Sequence, residues 1–264
     1  MIHPTAVIHP GAQVPSSVTV GPFAVIDADV VLGADCVVGP HVYLTGHTTI
    51  GAGNRFHAGC VIGGEPQDLK YKGEPTRLRI GERNVFRECA TVSRSARMEE
   101  DTVIGSDGFF MANTHVGHNS TVGNHVIMVN GSMLAGHVTV GDRALISGLA
   151  GVHQFCRVGT LALMQGGSIL TMDLPPFCIL QRVNELAGLN IVGLRRAGVS
   201  SADRLEVKRL YHLLFRSGKK FSLAVEEARA SVQSDTARTL VDFAAVPTKR
   251  GLCRSSATGL ASDD

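Results

Sequence analysis

From Ile8 to Leu170 the chain repeats with a period of six residues, and this beat restricts its fold more than any other feature. Counting in sixes from Ile8 to Ile62, and again from Ile80 to Leu170, every position is apolar; only Asp68 and Glu74, in between, are not. A six-residue unit is too short for a helix pair and too regular for a sandwich. It reads instead as a short strand of branched residues followed by a turn. Gly follows the apolar residue at Gly21, Gly33, Gly51, Gly105, Gly117 and Gly141, among others. That placement predicts glycines at positive φ in the turns. Three units make one coil of about 18 residues in a parallel β-helix, with the branched residue pointing inward onto its counterpart one coil away. About nine coils at ~4.8 Å spacing give a prism on the order of 45 Å long.

Side chains alternate along a strand, so the residue before each inward position points outward. Phe109, Ile127, Leu145 and Leu163 fill that slot one coil apart and predict an outward apolar stripe. Thr121, Thr139 and Arg157 hold the equivalent slot on another face. An apolar stripe of that length marks an interface, and self-association is expected.

The beat fails twice. At 64–79 it would bury Asp68 and Glu74, which unpaired carboxylates do not tolerate, so this segment is expected to loop out. Residues 93–101 are a second polar break. The expected organisation is a β-helix over 1–180 with these two insertions, a helical domain over 187–254 and a disordered tail over 255–264. Asp173-Leu-Pro-Pro-Phe177 is expected to end the repeat, because consecutive prolines donate no ladder hydrogen bonds. Beyond it, Val207, Leu210, Tyr211 and Leu214 have helical spacing, with Ser200 or Ser201 as N-cap and Gly218 as stop. Phe221, Val225, Ala228 and Val232 suggest a second helix, and Leu240, Phe243 and Ala244 a third.

The formal net charge is +2 over 264 residues, which points to no nucleic-acid partner. Locally, Gln181–Lys220 holds nine Lys or Arg against three acids, a surface suited to an acidic partner or a phosphate. The six cysteines show no paired spacing and read as reduced core or turn residues. No secretory pattern opens the chain and no 18-residue apolar run occurs, so a cytoplasmic protein without a membrane span is expected.

His41, His47 and His57 are expected at turns, without chemistry. His115, His118, His125, His137 and His153 crowd the later coils. The coil length puts His118, His137 and His153 near one edge on successive coils, a candidate site at a subunit boundary. Two chemistries fit such an edge. In one, a histidine acts as general base on a hydroxyl or amine that attacks an activated acyl group, with the backbone N–H of Gly136 as oxyanion donor. In the other, imidazoles from two subunits hold Zn²⁺ and activate water. Asp68 and Lys70 supply polar handles that metal hydration does not require, and so favour acyl transfer.

Gln67-Asp-Leu-Lys-Tyr71, Gly73-Glu-Pro-Thr-Arg77, His115-x-x-His118, Leu134-Ala-Gly-His137, Val152-His-Gln-Phe155 and Gly193-Leu-Arg-Arg196 resemble the acyl-carrier-protein–UDP-N-acetylglucosamine O-acyltransferases. The resemblance runs from about Ile2 to Arg254 and includes Phe215-Arg-Ser-Gly218 and Lys249-Arg-Gly251. It implies a left-handed β-helix with a C-terminal helical domain, assembled as a homotrimer with sites between subunits. The implied activity is transfer of a 3-hydroxyacyl chain from acyl carrier protein to the 3-hydroxyl of UDP-N-acetylglucosamine, the first step of lipid A synthesis, without a metal or cofactor. By resemblance His118 is the general base and Gly136 the oxyanion donor. Asp68, Lys70, His115, His137, His153 and Gln154 would bind substrate, Asn190 and Arg196 would reach its nucleotide end, and Gly166 would admit the acyl chain.

Four positions depart from the family pattern. Asn119 stands where Asp usually follows the catalytic histidine, and Ser93 where a histidine is usual. Val192 and Ala197 replace an acid and an Arg near the nucleotide. The alternatives are an N-acyltransferase or amino-sugar acceptor enzyme of the same fold, a β-helical zinc hydratase, and a catalytically silent scaffold.

Overall fold

The computed structural model describes residues 1–254, so the expectation for 255–264 lies outside the described residues. Short strands stack into three sheets of nine, seven and ten strands, and the chain visits them in rotation. His115–Val116 lies in the first sheet, Thr121–Val122 in the second, Ile127–Met128 in the third, and Met133–Leu134 in the first again. Each strand pairs in parallel with its counterpart one coil away, as in Phe109↔Ile127 and Ile127↔Leu145. This is the expected β-helix.

The inward positions form the core. Phe56, Phe86 and Phe110 stack with ring centroids 5.1 and 4.7 Å apart, all almost wholly buried. Each such side chain contributes about 2–3 kcal/mol of burial free energy. A polar ladder runs beside them. Buried Asn54 donates to the Gly51 and Gly81 carbonyls, and its Oδ1 accepts from both nitrogens of Asn84. Full pairing is what permits an amide inside the prism.

Four sequence expectations need correction. The glycines after the inward residue are not at positive φ, apart from Gly63. The left-handed corner positions are filled mostly by other residues, including Asn119, His137 and Phe155. Gly33 is required by close approach instead: a Cβ there would lie 2.5 Å from the Ala52 nitrogen in the next coil. Second, the nine strands of the first sheet match the expected nine coils, but not every position on the beat is core. Met98 keeps the phase but is 40% exposed in the second insertion. From Ile62 to Ile80, and from Val92 to Ile104, the prism advances by a single face, so each insertion replaces whole beats and hides in the count. Third, the prolines do not end the prism. Cys178–Gln181 still pairs in parallel with Leu163–Met164, and antiparallel Glu185–Leu189 then closes the third sheet. His47 also differs from its expected turn position, opening the strand His47–Ile50.

Among the described residues four helices follow: α1 Ile191–Arg196, α2 Ser201–Phe215, α3 Phe221–Ser231 and α4 Asp235–Ala245. Ser200 caps α2 by accepting from the Asp203 N–H, and Val207, Leu210, Tyr211 and Leu214 form its buried face. The short α1 has no counterpart in the helical spacing read from the sequence. Arg157 ties the helices to the prism. Its Nε donates to buried Asp173 at 2.8 Å, and its guanidinium lies 4.3 Å from the Phe243 ring centroid on α4. No helix among the described residues is long and apolar enough to cross a membrane.

Candidate active site at one corner of the prism

Both insertions leave the prism at the corner between the first and second sheets, the corner that also carries His118, His137 and His153. One cleft of about 550 Å³ opens there, lined by Gln67, Ser93, His115, His118, Gly136, His153, Gln154 and Thr171, with Met133 and Ile169 on the outer surface of the first sheet. A second cleft of about 560 Å³, at the ends of α2, α3 and α4, is lined by Phe215, Phe221, Val246 and Pro247 with Lys219 and Lys220. It contains no histidine. The chemistry-bearing residues converge on the first.

The rings of His118 and His137 meet edge to face, with centroids 5.3 Å apart, as coil spacing predicted. His137 also stacks on Phe155 at 4.7 Å. His118 Nδ1 lies 2.9 Å from Asn119 Oδ1. The amide orientation follows from its other partners. Asn119 Oδ1 accepts from the Ala96 N–H at 3.0 Å, a group that can only donate. Its Nδ2 donates to the Glu100 carboxylate at 3.0 Å, which can only accept when ionised, and to Ser95 Oγ at 2.7 Å. Nδ1 of neutral His118 therefore carries the proton, and Nε2 carries the lone pair.

Gly136 lies directly against that nitrogen. A Cβ on Gly136 would be 2.7 Å from His118 Nε2, so only glycine leaves the base clear. Among the described residues nothing accepts the Gly136 backbone N–H. The pair thus offers a proton acceptor beside a free donor.

The surrounding groups are graded in charge. Burial pulls the His115 imidazole below its usual range, helped by His118, and its Nδ1 pairs with Thr91 Oγ1 at 2.8 Å. Burial also lowers His137, again with His118 adding to the effect. Asp68 sits on the first insertion, its carboxyl held below the ordinary range by the Lys70 backbone N–H and then by His118 and His137. Lys70 is exposed beside it. His153 turns its Nδ1 towards the Gln154 carbonyl, which also accepts from Arg250 Nε at 3.2 Å.

Three candidates lie elsewhere in the chain. Asn190 caps α1, with its amide accepting from the Gly193 N–H and donating to the Leu161 carbonyl. Arg196 ends that helix. Gly166 sits at the corner between the third and first sheets, with open space where a side chain would project apart from the Gly148 carbonyl at 3.5 Å. Ser95 and Glu100 escaped sequence reasoning altogether. The only available signal was that a polar insertion left the prism just before the His118 coil.

Coils built from hexads place the chain among the hexapeptide-repeat transferases. Residues 29–64 match the family described as bacterial transferase hexapeptide (six repeats), and residues 173–253 match UDP N-acetylglucosamine O-acyltransferase, domain 2. The chain is 49% identical to the acyl-[acyl-carrier-protein]–UDP-N-acetylglucosamine O-acyltransferase of Anaeromyxobacter sp. (strain Fw109-5), covering 89% of this chain and 90% of the relative. It is 45% identical to that of Burkholderia lata, covering 96% and 99%. The structure of UDP-N-acetylglucosamine acyltransferase from Francisella novicida superposes with a TM-score of 0.93 at 34% identity, over 97% of this chain and 95% of that one. The chain belongs to the acyl-[acyl-carrier-protein]–UDP-N-acetylglucosamine O-acyltransferase family, and it is an acyltransferase with the left-handed β-helix of that family.

Proposed function

We propose that the protein transfers a 3-hydroxyacyl chain from acyl carrier protein to the 3-hydroxyl of UDP-N-acetylglucosamine, with His118 as general base, as the cytoplasmic first step of lipid A synthesis. The reading rests on the His118–Asn119 pair, which leaves Nε2 unprotonated beside the free Gly136 N–H. The acceptor hydroxyl gives its proton to Nε2 as its oxygen attacks the thioester carbonyl carbon. A C–O bond forms, the carbonyl oxygen takes up negative charge facing the Gly136 N–H, and the C–S bond then breaks. His118 returns the proton to the departing thiolate, so no covalent enzyme intermediate is required.

Asp68 and Lys70 hold the sugar and its acyl neighbour, and His115, His137, His153 and Gln154 line the cleft. Met133 and Ile169, on the outer surface of the first sheet, lead from the cleft towards the corner at Gly166 where the chain would end. In the proposed homotrimer, Asn190 and Arg196 would reach the nucleotide end from a neighbouring copy. Acidic carrier protein suits the basic Gln181–Lys220 segment.

Acyl transfer from 3-hydroxyacyl carrier proteins of several chain lengths, assayed with wild type and His118→Ala, tests the reading. Ester product from the wild type, reduced about 10²–10⁴-fold in the variant, is expected. A folded wild type that makes no ester with any donor, or makes amide from a 3-amino sugar instead, overturns it.

A further inference from the structure

Asn119 leaves the working imidazole facing a neutral amide, which orients a ring but does not by itself balance positive charge on it. Behind the amide stands a carboxylate. Glu100, at the end of the second insertion, accepts from Asn119 Nδ2 at 3.0 Å and lies 3.6 Å from His137 Nδ1. Asn119 is 8% exposed, and its amide is engaged on every side: His118 and Ala96 at the oxygen, Ser95 and Glu100 at the nitrogen. Turning the amide over would set its oxygen against the carboxylate and its NH₂ against the Ala96 N–H, so the Glu100 charge opposes the wrong orientation.

We infer that Glu100 is a positioning residue for acyl transfer, acting through the Asn119 amide to hold His118 in its base tautomer and to stabilise the imidazolium formed when it takes the acceptor proton. The inference rests on the reading of His118 as base. A negative group on Nδ2 polarises the amide and makes Oδ1 a stronger acceptor for the Nδ1–H, and that bond strengthens further when His118 becomes cationic. Ser95 and Ala96 help to fix the amide in place, and Glu100 is the one partner of it that also brings a charge. The other charged or titratable groups around His118 are Asp68 on the first insertion, His115 on its own coil and His137 on the next coil, with Arg97 on the second insertion acting on His137. None of them hydrogen-bonds to Asn119.

Glu100→Gln separates charge from shape, because the new side-chain oxygen can still accept from Asn119 Nδ2. The expected result is a fall in kcat of about tenfold with KM little changed, the lower range for losing a group that orients a working histidine. The acidic limb of the kcat/KM profile should move to lower pH by about half a unit, because losing a nearby negative charge makes protonated His118 less stable. Asn119→Asp puts a carboxylate directly on Nδ1, so in the Glu100→Gln background it should restore both kcat and the acidic limb. A purely structural Glu100 would give neither the limb shift nor the rescue. His118→Ala is assayed in parallel. If it stays active, the base reading falls and the role of Glu100 with it. If it is inactive while Glu100→Gln matches wild type in kcat and pH profile, the Glu100 inference alone is overturned.

Discussion

Arg94 clasps Tyr71 across the root of the first insertion: Nη2 and Nε both donate to the Tyr71 hydroxyl oxygen, at 2.9 and 3.2 Å. Nη1 donates to the Gly63 carbonyl at 2.9 Å, and the Tyr71 hydroxyl itself donates to the Glu74 backbone carbonyl. The Arg94 side chain is only 11% exposed. One guanidinium therefore ties the start of the loop that carries Asp68 and Lys70 to its middle. Tyr71→Phe removes the shared oxygen and is expected to cost about 1–2 kcal/mol in a urea melt. Because the loop binds rather than reacts, KM for the nucleotide sugar should rise roughly three- to tenfold with kcat nearly unchanged. An unchanged KM would show that the loop is held without the clasp.

Gly117 has no freedom to gain a side chain. A Cβ there would lie 2.6 Å from the Ala135 carbonyl carbon and 2.8 Å from the Gly136 nitrogen, in rigid backbone. Gly117→Ala must push the next coil away, at about 1–3 kcal/mol. The displaced atom is the proposed oxyanion donor, so kcat should fall by more than the loss of folded protein explains. Activity per folded molecule, measured beside circular dichroism, checks this.

That glycine also shows where sequence reading succeeds and where it stops. The repeat marked Gly117 and its equivalents, because a backbone spacing repeated every coil leaves a period. It gave the wrong cause, since close approach and positive φ both select glycine. The inward positions and the His118–His137 contact were legible for the same reason. Glu100 and Arg94 were not, because their insertions carry no period and their ends meet only through folding. Met98 misled by keeping phase inside an insertion. Asn190 and Arg196 entered through resemblance alone, and a single chain leaves them away from the cleft.

His115 and His137 both sit below the ordinary imidazole range because burial disfavours their charged form. Below about pH 6.5 the unfolded chain binds protons that the folded state refuses, so stability falls as pH falls through and below that value. His115→Gln should leave less of this loss. Urea midpoints at pH 7.5 and 5.5 are expected to differ less for the variant than for wild type. An equal difference would place the acid sensitivity elsewhere.

Burial pushes the Cys60 and Cys253 thiols up to about 12 and Cys156 to about 11, while Cys89 is exposed. Thiolate is the reactive form, so native protein at pH 8 should release colour from a disulfide reagent quickly at Cys89 alone. All six cysteines should react after denaturation. Fast reaction at a second native thiol would reveal opening of the prism.

Phe109, Ile127, Leu145 and Leu163 align in register up the third sheet and are half-buried in the single chain. If this stripe joins the copies of the proposed homotrimer, a charge at its centre discriminates monomer from assembly. In a monomer, Ile127→Asp points its carboxylate outward and costs little. In an assembly the same carboxylate is buried without a partner, a cost of several kcal/mol repeated at each contact. Light scattering should give a trimer mass for wild type and a monomer mass for Ile127→Asp, with the β-sheet spectrum retained. Activity should vanish with the assembly, because Asn190 and Arg196 would no longer reach a neighbouring cleft. Thr139→Asp, the same change on an exposed position of the second sheet, should leave mass and activity unaltered. A trimeric, active Ile127→Asp protein would remove the stripe from the interface.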